Sequence, residues 1–210
     1  MKMLIVAATK PEIAPLMMHF NLPGGDFTTN KKFDILITGV GMTATAYALG
    51  KHISKNYNLV LNLGIAGCFD RSIALGTVVN VYEDTFAELG AEDHENFLSI
   101  DDLGFGKSTH SAFNNLLSES VAKLQKVKGI TVNRVHGHEP SISAIASRLS
   151  PVAESMEGAA VLYCCGQQDI PCLQIRSISN YVEPRNIKAW KIDLALKNLN
   201  NWAIEFLTNT

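Results

Sequence analysis

Cysteine is scarce in this chain and poorly spaced for cross-linking. The four residues, Cys68, Cys164, Cys165 and Cys172, form no C-x-x-C pattern. The adjacent pair cannot make two independent staples. They read as small buried hydrophobes of a reducing compartment, which makes a cytoplasmic location the expectation. Charge of one sign is also missing. Eighteen Lys and Arg stand against 20 Asp and Glu, a net charge of −2, so there is no bulk attraction to nucleic acid or to an anionic membrane. No apolar run is long enough to span a bilayer. The opening MKMLIVAATKPE leads into Pro11 and Glu12 instead of a small-residue cleavage site, so it reads as a first core strand and not as a signal peptide. Internal repeats, low-complexity tracts and Pro/Gly/Ser linkers are absent. The expectation is one globular domain over residues 1–210, and 47% hydrophobic residues are enough to build its core.

What is present is an alternation of strand and helix signals. Lys2 to Ala8 is a continuously apolar strand, the pattern of a strand covered on both faces. Glu12 to Phe20 reads as a short helix whose start is confined by Pro11 and Pro15. Asn21 to Asn30 reads as a loop. Phe33 to Thr38 is a second strand ending in Gly39-Val40-Gly41, before a helix from Thr43 to about Lys55. Leu59 to Leu63 is a third strand ending in Gly64-Ile65-Ala66-Gly67. Thr77 to Glu83 is a Val-rich strand. Thr85 to Ser111 is a polar excursion, and a segment of that length is expected to be functional or to sit at an interface. Phe113 to Lys126 reads as a helix. Ile130 to Val135 reads as a strand ending in His136-Gly137-His138, and Ser141 as the N-cap of a helix through Leu149. Glu154 to Arg185 reads as helix, turn and strand: Glu157 leads the run Ala159 to Leu162, Asp169-Ile170-Pro171 breaks it, and Cys172 to Ile178 follows as a strand with Asn180 at its end. A last helix runs from near Ile187 to about Thr208, with Ile192, Leu196, Leu199, Ala203 and Phe206 on one face.

Strands alternating with helices predict an α/β layer architecture with a largely parallel sheet. Ligands of such sheets bind beyond the carboxyl ends of the strands. A helix and its following strand run in opposite directions, so Glu157 and Asn180 belong at the same rim. Element order adds Glu12, the glycine segments at 39–41 and 64–67, and His136 to His138. Gly39 to Ala44 matches a G-x-G-x-x-A dinucleotide fingerprint, but the next strand ends in Asn62-Leu63-Gly64 with no acid for a ribose, which argues against a dinucleotide. The glycines at 64 and 67 suit either a turn needing positive φ or a flat ligand against the backbone. His136 and His138 lack a third ligand nearby, so no metal is expected; one imidazole lines the pocket and the other faces solvent or a hydrogen-bond partner. Arg176, on an apolar strand, needs a partner if buried, with Glu154 or Glu157 as candidates. Single glutamates near helix starts commonly serve only the helix dipole. Two at one rim are the usual equipment for an oxocarbenium-like transition state and water activation.

Ser155-Met156-Glu157-Gly158-Ala159-Ala160 and Arg176-Ser177-Ile178-Ser179-Asn180 resemble the ribose and base motifs of the nucleoside phosphorylase and nucleosidase family. Gly64-Ile65-Ala66-Gly67 and Lys10-Pro11-Glu12 match as well, in the family's order and over nearly the whole chain. The resemblance implies a three-layer α/β/α sandwich around a central mixed, largely parallel and partly barrel-like sheet. Within the family, Glu83 to Ala87, Val135 to Glu139, Ser179 to Asn186 and Trp190 resemble the branch that hydrolyses futalosine in menaquinone biosynthesis. Related methylthioadenosine/adenosylhomocysteine nucleosidases would carry Asp where this chain has Asn180. An Asp can lend a proton to N7 of adenine; an Asn cannot, but its amide suits N7 and O6 of hypoxanthine, and could also pair with adenine. Phosphorylases would carry arginines and a Gly-rich turn after the first strand, whereas Ala7 to Glu12 offers a carboxylate that repels phosphate.

The resemblance therefore implies hydrolysis of a purine nucleoside with water as nucleophile and no cofactor or metal. Glu12 would be the base, Glu157 the ribose holder and Asn180 the base holder. Gly64, Ala66, Gly67, His138, Glu139 and Met156 would line the substrate. Arg185 would meet a carboxylate on its 5′ side, a surface arginine being the plainer reading. A homodimer or higher homo-oligomer is implied. The alternatives are an adenine-type nucleosidase, a phosphorylase and a non-enzymatic nucleoside-binding protein.

Overall fold

The computed structural model describes residues 2–113 and 118–209. In chain order the elements are β1 (Met3–Ala7), α1 (Lys10–His19), β2 (Phe27–Thr29), β3 (Phe33–Ile37), α2 (Met42–His52), β4 (Leu59–Cys68), β5 (Val78–Phe86), β6 (Gly90–Asp93), β7 (Asn96–Ser99) and β8 (Thr109–Ser111). They continue with α3 (Glu119–Ala122), β9 (Gln125–Thr131), α4 (Glu139–Leu149), β10 (Ala153–Ser155), α5 (Gly158–Gln167), β11 (Cys172–Tyr181), a 3₁₀ turn (Ile187–Ala189) and α6 (Ile192–Thr208).

The architecture is a mixed sheet with helices on both sides. Its strand order is β10-β9-β5-β11-β4-β1-β3-β2, with β8 on β5. β1 is parallel to β3 and β4, β11 to β4, and β9 to β5 and β10. β11 and β5 are antiparallel. β10 also pairs antiparallel with β4, placing Glu154 opposite Gly67. That pairing closes β4, β11, β5, β9 and β10 into a ring, the barrel-like part of the sheet.

Alternation along β1 shows why its run is continuously apolar. Met3, Ile5 and Ala7 pack with Ile13 and Leu16 of α1 and Leu199, Ala203 and Phe206 of α6. Leu4 and Val6 face the other way, onto Leu49 of α2 and Val161, Leu162 and Cys165 of α5. With side chains alternating at period 2, both faces of the strand are covered by helices.

Several boundaries depart from the sequence expectations. The third strand does not end at Leu63 but runs on as β4 through the glycines to Cys68. Neither Gly64 nor Gly67 has positive φ, so the turn reading of these glycines is wrong. Of the expected helix from Phe113 to Lys126, residues 114–117 lie outside the described residues; α3 covers only Glu119–Ala122, and Gln125 and Lys126 already belong to β9. β9 starts early because exposed Lys126 and Lys128 alternate with buried Val127 and Gly129, a half-covered strand without a continuous apolar run. It ends at Thr131, so Asn133 to Val135 is loop. The excursion from Thr85 contains the β6–β7 hairpin and β8. The loop before Asn30 contains β2, which pairs with β3. The opening helix of the Glu154 segment is preceded by β10. α4 starts at Glu139 with His138 at the N-cap, and Ser141 Oγ donates to the His138 carbonyl at 2.8 Å from inside the helix. The last helix begins at Ile192 after the 3₁₀ turn.

α1 and α6 are joined by one amide. Asn200, buried on α6, accepts from Leu16 N–H at 3.0 Å and donates to the Glu12 carbonyl at 2.8 Å. These are the donor and acceptor of a single turn of α1, next to Pro15, which lies inside the helix. A proline ring crowds the turn before it, and the Asn200 amide splints that turn. Asn200→Ala strips a partner from two backbone groups. It is expected to cost about 2 kcal/mol, read as a lower denaturation midpoint with unchanged slope.

Candidate active site

The strand ends meet at a cleft of about 320 Å³. Its lining includes Thr9 and Glu12, Ile65 to Gly67, Val135 and His136, Glu154 to Glu157, Ser179 and Asn180, and Trp190, Ile192 and Leu196. Glu12, Glu157 and Asn180 thus come together, with Ala66, Gly67 and Met156 beside them. Gly64 is not part of the lining. His138, Glu139 and Arg185 are exposed and outside the lining. The helical stripe of α6 divides its work: Leu199, Ala203 and Phe206 enter the core, and Ile192 and Leu196 reach the cleft.

Glu12 is held by the residue that caps its helix. Thr9 N–H donates to Glu12 Oε2 at 2.8 Å, and Thr9 Oγ1 donates to the same oxygen at 3.1 Å. This is one half of the T-x-x-E capping pattern, which is legible in the sequence at Thr9 to Glu12. Among the described residues, the other oxygen, Oε1, has only a long contact from Ile65 N–H at 3.4 Å. A side chain at Gly64 would stand 3.1 Å from Oε1 and 3.4 Å from Arg176 Nη1. Glycine therefore leaves the space beside that oxygen free of a side chain. Burial pushes the Glu12 pKa above the ordinary carboxylate value, and the nearby Glu157 charge pushes the same way. The Thr9 hydrogen bonds and the Arg176 charge pull it down.

Arg176 is almost fully buried. Neither Glu154 nor Glu157 pairs with it. Its Nη2 donates to Asn62 Oδ1 at 2.6 Å and its Nη1 to the Ile175 carbonyl at 3.2 Å. Its charge is near enough to Glu12 to favour that carboxyl's ionised form.

Glu157 occupies the N-cap position of α5 and accepts from Gly41 N–H at 2.9 Å. Gly41 is itself the N-cap of α2 at φ 95°, a left-handed conformation suited to glycine. The glycine turn that resembled a dinucleotide fingerprint thus aims a backbone donor at a carboxylate. Beneath α5, Ala159 N–H donates to Thr131 Oγ1 at 2.7 Å, and Thr131 donates to Asp84 Oδ1 at 2.9 Å. Gln174 Nε2 donates to the other Asp84 oxygen at 2.7 Å. Asp84 is fully buried, and burial pushes its pKa up to about 6 against these hydrogen bonds.

Asn180 follows a register shift in β11 between Ile178 and Asn180. Such irregularities re-aim side chains. Its Oδ1 accepts from Ser179 Oγ at 2.8 Å and its Nδ2 donates to the Tyr181 carbonyl at 3.0 Å. A side chain at Gly67 would sit 3.2 Å from Asn180 Nδ2, so this glycine keeps the amide accessible. Of the two expected histidines, His136 is the one in the lining; His138 stands exposed at the N-cap position of α4. The His136 N–H donates to Glu154 Oε1 at 3.0 Å, and its ring Nδ1 pairs with Glu154 Oε2. The Arg185 guanidinium lies over the Trp190 ring, 5.3 Å from its centroid, on the outer side of the cleft.

A model of the phosphorylase superfamily matches residues 4–208. This chain belongs to that superfamily. Among members, it is 32% identical over 178 residues to the futalosine hydrolase of Streptomyces coelicolor, covering 80% of this chain and 76% of that protein. It is 26% identical over 207 residues to the 5′-methylthioadenosine/S-adenosylhomocysteine nucleosidase of Shewanella frigidimarina, with 86% of each chain covered. The structure of futalosine hydrolase from Helicobacter pylori superposes with a TM-score of 0.84 at 16% identity, over 100% of this chain and 98% of that one. These superfamily relatives are nucleosidases, and the two-carboxylate cleft of this member is equipped for the same class of reaction.

Proposed function

We propose that the chain hydrolyses the N-glycosidic bond of futalosine, releasing hypoxanthine and dehypoxanthine futalosine, as a step of menaquinone biosynthesis. The observation that carries this reading is the pairing of Glu12 and Glu157 in one cleft with Asn180 at the adjoining strand end. The likeness to futalosine hydrolases supports the choice of substrate.

Glu12 takes a proton from the water that attacks C1′, using the oxygen that Thr9 leaves free. Glu157, fixed by Gly41, accepts hydrogen bonds from the ribose hydroxyls, and these strengthen as positive charge builds on the ring. Asn180 holds the purine, with Ala66 and Gly67 giving a flat wall and Met156 packing beside the sugar. Water is favoured over phosphate because the turn after β1 presents the carboxylate of Glu12 to the nucleophile. Arg185 meets the substrate's carboxylate by moving off Trp190; His138 and Glu139 stay at the mouth, away from the base.

The second reading is a methylthioadenosine-type nucleosidase, favoured by relatives of that name at 25–26% identity. Side-by-side turnover of futalosine and methylthioadenosine decides between them: the proposal expects futalosine to be preferred, and the reverse preference would replace it. Asn180→Asp is expected to move the hypoxanthine-to-adenine preference towards adenine nucleosides by about tenfold or more, the scale of one altered hydrogen bond to a charged group. An unchanged ratio of kcat/KM values removes Asn180 from base reading.

The proposal extends to a cytoplasmic homodimer or higher homo-oligomer. The four free cysteines suit a reducing compartment. A second hollow, lined by Met42, Phe86, Phe105 and Tyr163 among others, is apolar and open, with Phe105 81% exposed, as suits an interface between copies. No helix among the described residues is long and apolar enough to cross a membrane.

A further inference from the structure

Cleaving a purine from ribose needs two protons moved. One leaves the attacking water; the other must reach the departing base, whose nitrogen otherwise carries the bonding electron pair away as an anion. Glu12 serves the first. Asn180 cannot serve the second, because an amide can hydrogen-bond the base but has no transferable proton at neutral pH. The base end of the cleft therefore needs another donor.

The geometry points to His136, paired with Glu154, as the acid that protonates the departing purine; this rests on the nucleosidase reading above. Three observations carry it. First, His136 is the imidazole in the cleft lining. Second, its ring is fixed from behind. Glu154 is 96% buried, takes His136 N–H on one oxygen and pairs with Nδ1 through the other. With Nδ1 committed, Nε2 is the nitrogen left for a substrate, and it makes no hydrogen bond among the described residues and is not sealed off as a buried atom. A carboxylate behind an imidazole also fixes its orientation and the nitrogen it turns to a substrate. Third, the register places the pair beside Asn180. Gly67 of β4 lies opposite Glu154 of β10 on one side and opposite Asn180 of β11 on the other. Neighbouring strands lie about 4.8 Å apart, so side chains from the two flanking strands can meet one bicyclic base over the Gly67 backbone. A lone histidine on a cleft wall is more often a packing residue; a buried carboxylate given over to it, at the base end, is not explained by packing.

The step balances. The C1′–N9 bond breaks with its electron pair going to the purine, and the His136 Nε2 proton passes to N7. The water oxygen bonds to C1′ and its proton passes to Glu12. Solvent carries a proton from Glu12 back to His136, and the net reaction is nucleoside plus water giving free base and ribosyl product.

The test compares wild type with His136→Gln, which keeps a donor for Glu154 but has no transferable proton. Substrates are futalosine and futalosine methylated at N7, whose base leaves without protonation. With futalosine in phosphate-free buffer, kcat is expected to fall by ~10²–10⁴, the usual loss of a general acid, with KM changed less than about threefold. With the N7-methylated substrate the variant is expected to stay within about tenfold of wild type. Glu154→Gln, with the same shape and no charge, is expected to show a smaller loss with the same recovery, which keeps the test usable if the first variant folds poorly. Near-wild-type turnover of futalosine by His136→Gln, or an equal loss on both substrates, overturns the assignment. Failure of wild type to release hypoxanthine would instead remove the underlying nucleosidase reading, so the two failures are distinct.

Discussion

Glu12→Gln is expected to lower kcat for futalosine by ~10²–10⁴, the range for loss of a positioned general base, while the protein stays folded. The amide can still accept the Thr9 hydrogen bonds through one oxygen, so helix α1 keeps its cap. What it cannot do is take a proton. The pH profile gives the matching signature. Burial raises the Glu12 pKa above its ordinary value, and the base works only when ionised. Wild-type activity is therefore expected to rise with pH through that elevated pKa, at a higher pH than a surface glutamate would give, and the limb disappears in the variant. The sign for stability follows from the same shift. A carboxyl that binds its proton more tightly folded than unfolded adds stability below the unfolded pKa and loses that contribution as pH rises through the folded one. Ionised Glu12 is thus a cost that the fold carries at working pH, offset in part by Arg176. Near-normal turnover by Glu12→Gln would take the residue out of its role.

Glu157→Gln is expected to lower kcat by ~10²–10³, the scale seen when one preorganised electrostatic contact to a developing charge is removed. Gly41 N–H can still donate to the amide oxygen, so the position of the side chain is preserved and its charge is lost. A carboxylate bound to the ribose hydroxyls gains strength as the ring becomes cationic; an amide gains much less. The loss should appear in kcat more than in KM, because the contact matters most in the transition state. Coupling confirms the partner: with 2′-deoxyfutalosine the variant and wild type are expected to differ less than with futalosine. Equal losses on the two substrates would place Glu157 elsewhere than on the 2′-hydroxyl.

Much of this arrangement was legible in the chain, for physical reasons that can be named. The continuous apolar run of β1 signalled a strand covered on both faces, and the helix-then-strand order of Glu157 and Asn180 put both at one rim. The Thr9 to Glu12 spacing also carries a capping signal. What sequence order could not supply is lateral register. β10 is three residues long and reads as the front of a helix, yet its pairing with β4 closes the sheet into a ring and sets Glu154 opposite Gly67. Without that pairing Glu154 looked like a partner for Arg176. With it, Glu154 belongs to His136 and Arg176 bonds to Asn62. The choice between His136 and His138, two residues apart on one loop, was likewise hidden, because it depends on where α4 begins. Glycines 64 and 67 left a turn and a flat ligand surface equally open, because two glycines within four residues suit either; in β4 their absence of side chains keeps space beside Glu12 and Asn180 free.

The cleft is expected to hydrolyse a purine nucleoside with water and without phosphate. The measurement that tests this most directly is incubation of the purified protein with futalosine in phosphate-free buffer, with free base followed by chromatography. The predicted result is stoichiometric release of hypoxanthine at a rate that added phosphate does not raise. Release that depends on phosphate, or no release at all, would contradict it.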